Sequence, residues 1–414
     1  MIRVVASSWA LLLGVLLLMV GNGMQGTLLG LRGGIEGFTT AQMSVVMACY
    51  SVGFLGGSQL APEMIRHVGH VRVFAALGSL ISAVLILFPV FPDWIAWSVM
   101  RLLLGFCFSG VYVTAESWLN DSATNETRGR TLSAYMIVQM VGITAAQALL
   151  LAGDPSGYLL FVIPSVLVSL AFTPILLSAS PAPAFGAVRP MAFRALFRGS
   201  PLGCVGMFLT GAAYAGLAGM AAVWGTQVGL SVVQISVFVG AIFVGGMLFQ
   251  YPIGYASDRM DRRLLILILS AAGVVAVVWP TLHQPAFWPL VVLVLILGGV
   301  LNPLYALLIA HANDFLDNAD MAGASAGLIF LYGLGAIAGP LVTGWMMDRI
   351  GQGGFFAFVG LALLVQAAYA GWRMTRRPAP AVADTGAFAP LAPTASALAV
   401  EAVMAPPETR DDRG

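Results

Sequence analysis

The sequence is 414 residues long, with 59% hydrophobic residues, only 9% charged residues and a formal net charge of +1. Soluble domains carry about 25% charged residues, so most of this chain is not expected to meet water. A net charge near zero also excludes nucleic acid as a partner. Three cysteines are scattered through apolar runs, at Cys49, Cys107 and Cys204. They fit neither a disulfide framework nor a metal site, and we expect them to be small core residues without a cofactor.

Apolar runs of about 20 residues, the length that crosses a bilayer, recur along the chain. They predict an all-α integral membrane protein with twelve transmembrane helices. The first run follows Arg3 but lacks an Ala-x-Ala-like cleavage site, so we interpret it as a helix and not as a signal peptide. The predicted helices cover residues 7–30, 43–65, 71–91, 94–119, 131–152, 157–179, 202–227, 233–256, 263–280, 286–311, 322–346 and 353–373.

Arginine placement predicts the orientation of these helices. The chain has no lysine, and with the N-terminus inside, fourteen arginines fall in inner loops. Only Arg32 and Arg349 fall in outer loops. Because positively charged loops stay on the cytoplasmic side, both termini are predicted to be cytoplasmic.

Helix 1 carries two polar side chains, Asn22 and Gln25, among glycines. Residues three apart lie on neighbouring positions of one helical face. They either line a central cavity or hydrogen-bond a neighbouring helix, and the sequence does not decide between these interpretations.

Helix 4 contains a charge within the predicted span. Arg101 lies about 9 Å along the helix from Ile95, well below the surface. A charge at that depth is expensive unless it meets a partner or water, which makes Arg101 a candidate functional residue. The alternative is that its side chain extends back to the outer interface.

Glu116 lies near the inner end of the same helix. It is about 22 Å from Arg101 along the axis, so the two cannot pair directly. A carboxyl group in the membrane favours its neutral form and could carry a proton, so Glu116 is a candidate for proton coupling or gating. A structural ion pair with Arg128 or Arg130 is the alternative.

A short charged hinge separates predicted helices 8 and 9. It reads Gly254-x-x-x-Asp258-Arg259-x-x-Arg262-Arg263. This pattern resembles the cytoplasmic loop signature of the major facilitator superfamily, a family of membrane transporters, in which the loop contributes to gating. The loop after helix 2 is a degenerate copy that keeps Gly69 and Arg72 but replaces the acid by Arg66.

Two further stretches support the same resemblance. Arg101, followed by Gly105 and Gly110, resembles the helix-4 signature of the family. The run from Glu116 to Arg130 resembles the YcaD-like branch of bacterial transporters of this superfamily. The branch implies a bacterial cytoplasmic (inner) membrane as the location.

The two halves of the chain also echo each other at an offset of 193 residues. Asn120-Asp121 corresponds to Asn313-Asp314, and Gly142 corresponds to Gly335. Repeats related by an axis along the membrane normal are typical of this superfamily. We therefore expect a six-helix bundle over residues 1–180 and another over 202–375. We predict a cytoplasmic linker with an amphipathic helix over 181–201, and a disordered tail over 376–414.

The resemblance implies secondary transport of a small solute around a central cavity lined by helices 1, 4, 7 and 10, by symport or antiport and with protons as a candidate coupling ion. Substrate contacts are then expected among polar and aromatic residues: Asn22, Gln25, Arg101, Gln139, Tyr214, Asn302 and Tyr305. A facilitative uniporter or a solute sensor on the same scaffold is the alternative. We expect a monomer without enzymatic activity, and a neutral polar or anionic solute.

Overall fold

The structure is a computed structural model that describes residues 2–122, 128–176, 191–283, 285–316 and 320–376, together with residues 385, 386, 388, 389, 391 and 400. Its regular elements are helices over this part of the chain. The first half comprises α1 (Ile2–Ile35), α2 (Thr40–Val68), α3 (His70–Leu87), α4 (Trp94–Ser122), α5 (Arg128–Leu149) and α6 (Leu159–Leu176). A short helix, α7 (Phe193–Gly199), precedes the second half. The second half comprises α8 (Pro201–Gln227), α9 (Val232–Ser257), α10 (Arg262–Leu282), α11 (Phe287–Asn313), α12 (Met321–Ile350) and α13 (Gly354–Met374).

Within the described residues, eleven helices are long and apolar enough to cross a membrane, and a shorter apolar segment of α6, Leu159–Thr173, is the twelfth. The prediction of an all-α membrane protein is therefore confirmed. Several helices are longer than the apolar runs suggested, and side-chain caps mark the earlier starts of two of them. Thr39 and Gln42 form a capping box before α2, and Ser231 and Gln234 form another before α9.

Glycines let helices within each half approach to backbone contact. A methyl group built at Gly105 of α4 would lie 2.0 Å from the carbonyl oxygen of Tyr50 on α2. In the second half, one built at Gly298 of α11 would lie 2.0 Å from the carbonyl oxygen of Ile242 on α9. These two glycines are 193 residues apart, so the repeat seen in the sequence is also a repeat of helix packing.

The two halves touch each other at one end of the helical bundle. We call the end marked by Gly69 and Asp258 the loop face, and the end marked by Ile35 and Gln227 the opposite face. At the opposite face, Gly30 packs on Ala222, and Gln227 Nε2 donates a 2.6 Å hydrogen bond to Thr40 Oγ1. The halves are therefore in direct contact at the opposite face.

Candidate functional site

A cavity of about 240 Å3 lies between the two halves. Its wall combines residues of α1, α2, α4 and α5 with residues of α8, α9 and α12. Four of the predicted substrate contacts line it: Asn22, Gln25, Arg101 and Tyr214. We call this space the central cavity.

The polar side chains of the central cavity form one hydrogen-bonded cluster. Arg101 Nη1 donates to Gln25 Oε1 at 2.7 Å, and Gln25 Nε2 donates to Asn22 Oδ1 at 2.8 Å. Asn22 Oδ1 also accepts from the Tyr50 hydroxyl at 3.0 Å, while its Nδ2 donates to the Tyr112 hydroxyl at 2.5 Å. Asn22 and Gln25 thus do both things that the sequence left open, since they line the cavity and tie helices together.

Arg101 is almost fully buried, with 5% of its surface exposed. Its other close neighbours are the Met47 sulfur, 3.5 Å from Nη2, and the ring of Tyr50, whose centroid is 4.6 Å from Cζ. A guanidinium over an aromatic face is attracted by the ring quadrupole. The side chain therefore faces the cavity and does not extend back to the interface.

Glu116 is fully buried further along α4, with 0% exposed surface. The Tyr135 hydroxyl of α5 donates a 3.0 Å hydrogen bond to Glu116 Oε1. Tyr112 lies one turn before Glu116 on the same helical face, so the polar cluster of the central cavity extends along α4 towards this acid. The alternative partners Arg128 and Arg130 have side chains outside the described part of the structure.

Three other predicted contacts, Gln139, Asn302 and Tyr305, are described but lie outside the wall of the central cavity. Gln139 is buried on α5, one turn after Tyr135. Tyr305 is buried behind Tyr332, with ring centroids 5.0 Å apart. Asn302 lines a second cavity of about 460 Å3 between α5 and α9, near the loop face. It is turned there because Gly246 of α9 leaves room for its side chain.

The charged hinge after α9 forms a network at the loop face. Arg262 is buried, and its Nη1 lies 2.5 Å from Asp314 Oδ1, while Asp258 Oδ1 is 3.9 Å from its Nη2. Burial raises the pKa of the Asp314 carboxyl, against the opposing effect of the Arg262 guanidinium. The predicted loop residues Asp258 and Arg262 are thus joined by an acid from the end of α11.

The neighbouring charges of the hinge pair locally. Asp261 caps α10 by accepting from the Arg263 backbone N–H at 2.9 Å, and Arg263 Nη2 donates to Asp261 Oδ2 at 2.8 Å. Burial raises the pKa of the Asp261 carboxyl, but these bonds from Arg263 outweigh it, and the net pKa is lowered. Arg259 lies over the ring of Tyr255, 3.5 Å from its centroid.

The degenerate loop after α2 is built differently. Gly69 joins α2 to α3 with a φ of +84°, a conformation that favours glycine. Arg66 pairs with Glu63 on the surface of α2, while Arg72 is exposed. The network around Arg262 in the second half is therefore not repeated with these residues in the first half.

A few tail residues reach the hinge network. The Phe388 backbone N–H donates to Asp258 Oδ1 at 2.7 Å, and the Phe388 ring lies against Gly254. Leu391 is buried and lines the second cavity with Phe388. The prediction of a disordered tail stays a prediction, since most of the tail lies outside the described residues.

Sequence reasoning missed the tyrosines that complete the cluster, Tyr50, Tyr112 and Tyr135, and the loop acid Asp314. The repeat offered a signal for Tyr112, because Tyr305 lies 193 residues later. The repeat also included Asp314, but it did not indicate that Asp314 is the partner of Arg262. Nothing in the sequence pointed to Tyr50 or Tyr135.

Comparison with known proteins places the chain in a family. Residues 11–242 and 203–407 match the Major Facilitator Superfamily profile. An uncharacterized MFS-type transporter of Yersinia pestis (strain Pestoides F) is 30% identical over 376 residues, covering 86% of this chain and 94% of the relative. The uncharacterized MFS-type transporter YcaD of Escherichia coli O45:K1 (strain S88 / ExPEC) is 29% identical, covering 84% and 91%.

Solved structures show the same fold. A mutant of the nucleoside transporter NupG superposes with a TM-score of 0.74 at 15% identity, covering 88% of this chain and 99% of that one. A bacterial homologue of the human lysosomal transporter Spinster, in an inward-facing and occupied conformation, gives 0.67 at 15% identity, covering 90% and 97%. The described part of the chain has eleven apolar helices of membrane length and a shorter twelfth, and the family profile matches most of the sequence. This chain therefore belongs to the major facilitator superfamily of membrane transporters.

Proposed function

We propose that this protein is a secondary active transporter that moves a small solute across a bacterial cytoplasmic membrane by alternating access. The observation that carries this proposal is the composition of the cavity wall. Helices of both halves enclose the central cavity, so rocking one half against the other would change the side from which a solute can enter. A cavity inside a single half would not have this property.

The loop face is assigned to the cytoplasm because of its arginines. With that orientation, the halves are closed towards the outside, where Gly30 meets Ala222 and Gln227 meets Thr40. The second cavity lies between α5 and α9 on the cytoplasmic side. The conformation is then an inward-facing one, and the contacts at the opposite face are those that must separate in the outward-facing state.

Glu116 is the proposed proton-coupling residue. A buried carboxyl group exchanges a proton only when its surroundings admit water or a hydrogen-bonded relay, and the change of conformation controls that access. The relay proposed here runs from the central cavity through Asn22 and Tyr112 towards Glu116. Solute binding next to Asn22 would then affect the protonation of Glu116.

The Arg262 network is the proposed gate at the loop face. Its members come from the ends of α9, α10 and α11, so the network holds three helices of the second half as one body. Such a clamp would help these helices to move together when the halves rock.

Transport by proteoliposomes tests the function and the coupling together. The solute would first be found by its effect on the melting temperature of purified protein, since a ligand at about 100 times its dissociation constant adds about 2.7 kcal/mol. Wild-type protein is expected to accumulate the radiolabelled solute under a proton gradient. Glu116→Gln cannot release a proton, so it should lose gradient-driven accumulation while still exchanging internal for external solute.

The matched control is Glu63→Gln, which neutralises an exposed acid on α2. It should leave both activities intact. If Glu116→Gln accumulates solute as well as the wild type, proton coupling through this residue is wrong and a facilitative uniporter becomes the better description. If neither protein moves any solute that binds, the proposed transport function itself fails.

A further inference from the structure

We propose that the central cavity binds a small organic anion, whose single carboxylate pairs with Arg101 and whose apolar body packs against the cavity walls. The inference rests on the proposed function, because it takes the central cavity as the solute site. It adds the chemical class of the solute, which the fold does not determine.

The first step of the argument is the missing counter-charge of Arg101. Its neighbours Gln25, Met47 and Tyr50 are all neutral. Across the described residues, no carboxylate lies within ion-pair distance of its guanidinium. The described wall of the central cavity also contains no acidic residue. A buried charge is costly unless it is paired or hydrated, so an anion in the cavity would remove that cost.

The second step is the supply of unused hydrogen-bond donors. A guanidinium carries five N–H groups, and the only oxygen acceptor that Arg101 has among the described residues is Gln25 Oε1. Its Nε is buried and has no acceptor among the described residues, and the one hydrogen-bond partner of Nη2 in this part of the chain is the Met47 sulfur. The Nε–Nη2 edge can bind a carboxylate with two parallel hydrogen bonds. Met47 is flexible and unbranched, so an entering carboxylate can displace its thioether.

The third step is that the guanidinium is held in place for this task. Nη1 is fixed by Gln25, and Gln25 is fixed in turn by Asn22, which also accepts from Tyr50. Preorganised donors lower the entropy cost of binding a planar anion. If the guanidinium served helix packing alone, we would expect its Nε–Nη2 edge to have protein acceptors as well.

The fourth step concerns the body of the solute. The rest of the wall is largely apolar and aromatic, with Phe54, Phe243 and Ile329 among its residues. The cavity volume of about 240 Å3 is below the roughly 300–1,000 Å3 of drug-sized sites. One cation and apolar walls fit a monocarboxylate, because a second carboxylate would be buried without a partner.

The test compares carboxylates with their uncharged amides on purified full-length protein. Benzoate, phenylacetate and hexanoate would each be measured beside benzamide, phenylacetamide and hexanamide by shift of the melting temperature. At least one acid is expected to stabilise the wild type while its amide of the same shape does not. Equal effects within every pair, or no effect from any of the three acids, would overturn the proposal without any variant being needed.

Variants then assign the effect to Arg101. Arg101→Gln should abolish the stabilisation by the acid. Arg101→Lys keeps the positive charge but loses the planar guanidinium that makes two parallel hydrogen bonds, so it should weaken binding on the order of tenfold. Arg349→Gln, at an exposed arginine of α12, is the matched control and should bind like the wild type. Acid binding that survives in Arg101→Gln would overturn the proposal.

The outcomes separate this inference from the proposed function. Carboxylate binding that depends on Arg101, without transport in proteoliposomes, supports the anion site and contradicts the transport proposal. Transport of neutral solutes by a protein that prefers no carboxylate supports the transport proposal and overturns the anion site.

Discussion

Arg101 on α4 and Gln25 on α1 share a 2.7 Å hydrogen bond across 76 residues of sequence. This bond holds the buried guanidinium in the wall of the central cavity between the halves, with an amide as its acceptor in place of an acid. The arrangement keeps the arginine positioned but leaves its charge unneutralised, and the proposed anion site follows from that.

The Tyr50 hydroxyl is predicted to contribute to the rigidity of this cluster. Tyr50→Phe removes one hydrogen bond to Asn22 Oδ1, which should lower the free energy of unfolding by about 0.5–1.5 kcal/mol. Tyr214→Phe is the control, because Tyr214 lines the same cavity without a hydrogen bond to another described residue. Thermal denaturation in detergent would compare the two, and equal losses of stability would count against the cluster.

Close packing of α2 on α4 is predicted to depend on Gly105. Gly105→Ala would bring a methyl group against the Tyr50 carbonyl oxygen and should lower the melting temperature. Gly26→Ala is the control, because nothing lies within 4 Å of the added group. It should be neutral or stabilising by about 0.5–1 kcal/mol, the usual gain of alanine over glycine in a helix. If Gly105→Ala is tolerated as well as Gly26→Ala, the described helix contact is wrong.

Asp261 is predicted to stabilise the start of α10 in a manner that depends on pH. Because its pKa is lowered in the folded state, its charged form contributes stability above the ordinary carboxyl pKa of 3.8, and this contribution is lost as the pH falls through the lowered value. Asp261→Ala should cost about 1 kcal/mol as a lost cap at neutral pH, whereas Asp261→Asn, which can still cap, should cost less. Melting curves at increasingly acidic pH should show that the difference in stability between the wild type and each variant becomes smaller. A constant difference down to the most acidic point would contradict the assignment.

The helices and their order could be predicted from the sequence, because apolar runs of membrane length are local features. The repeat also predicts a division into two halves, in which Gly105 and Gly298 make matching close contacts. The partners of Arg101 could not be predicted in the same way. Gln25, Met47 and Tyr50 meet it only after two other helices have packed on α4, and that packing depends on close approach at glycines.

The expected cavity residues on α11 illustrate the same limit. Family resemblance placed Asn302 and Tyr305 on a helix that lines the cavity, but it did not fix the rotation of that helix. Asn302 packs against Gly246 of α9, and Tyr305 packs against Tyr332 of α12. Both side chains therefore face neighbouring helices and not the central cavity. Asp314 was recognisable as a repeated residue, yet its contact with Arg262 joins the end of α11 to the start of α10, 52 residues away in sequence.

Contact between the tail and α9 is predicted to be detectable by cross-linking. In a variant whose native cysteines are replaced by alanine, Gly254→Cys and Phe388→Cys should form a disulfide under mild oxidation, since the Phe388 ring packs on Gly254. The control pair is Leu248→Cys with Phe388→Cys, because Leu248 is exposed on another side of α9. Similar yields from both pairs would indicate that the tail does not adopt the described position.

The most direct test of alternating access measures the distance between the halves at both faces. Spin labels at Val68→Cys and Thr375→Cys report on the loop face, and labels at Ile35→Cys and Ile350→Cys report on the opposite face. All four positions are exposed and lie near helix ends. Pulsed electron paramagnetic resonance would measure both distances in lipid nanodiscs at acidic and at neutral pH. If the protein alternates, the condition that shortens the distance at the loop face should lengthen the distance at the opposite face. Distances that stay single and unchanged at both faces would contradict alternating access in this protein.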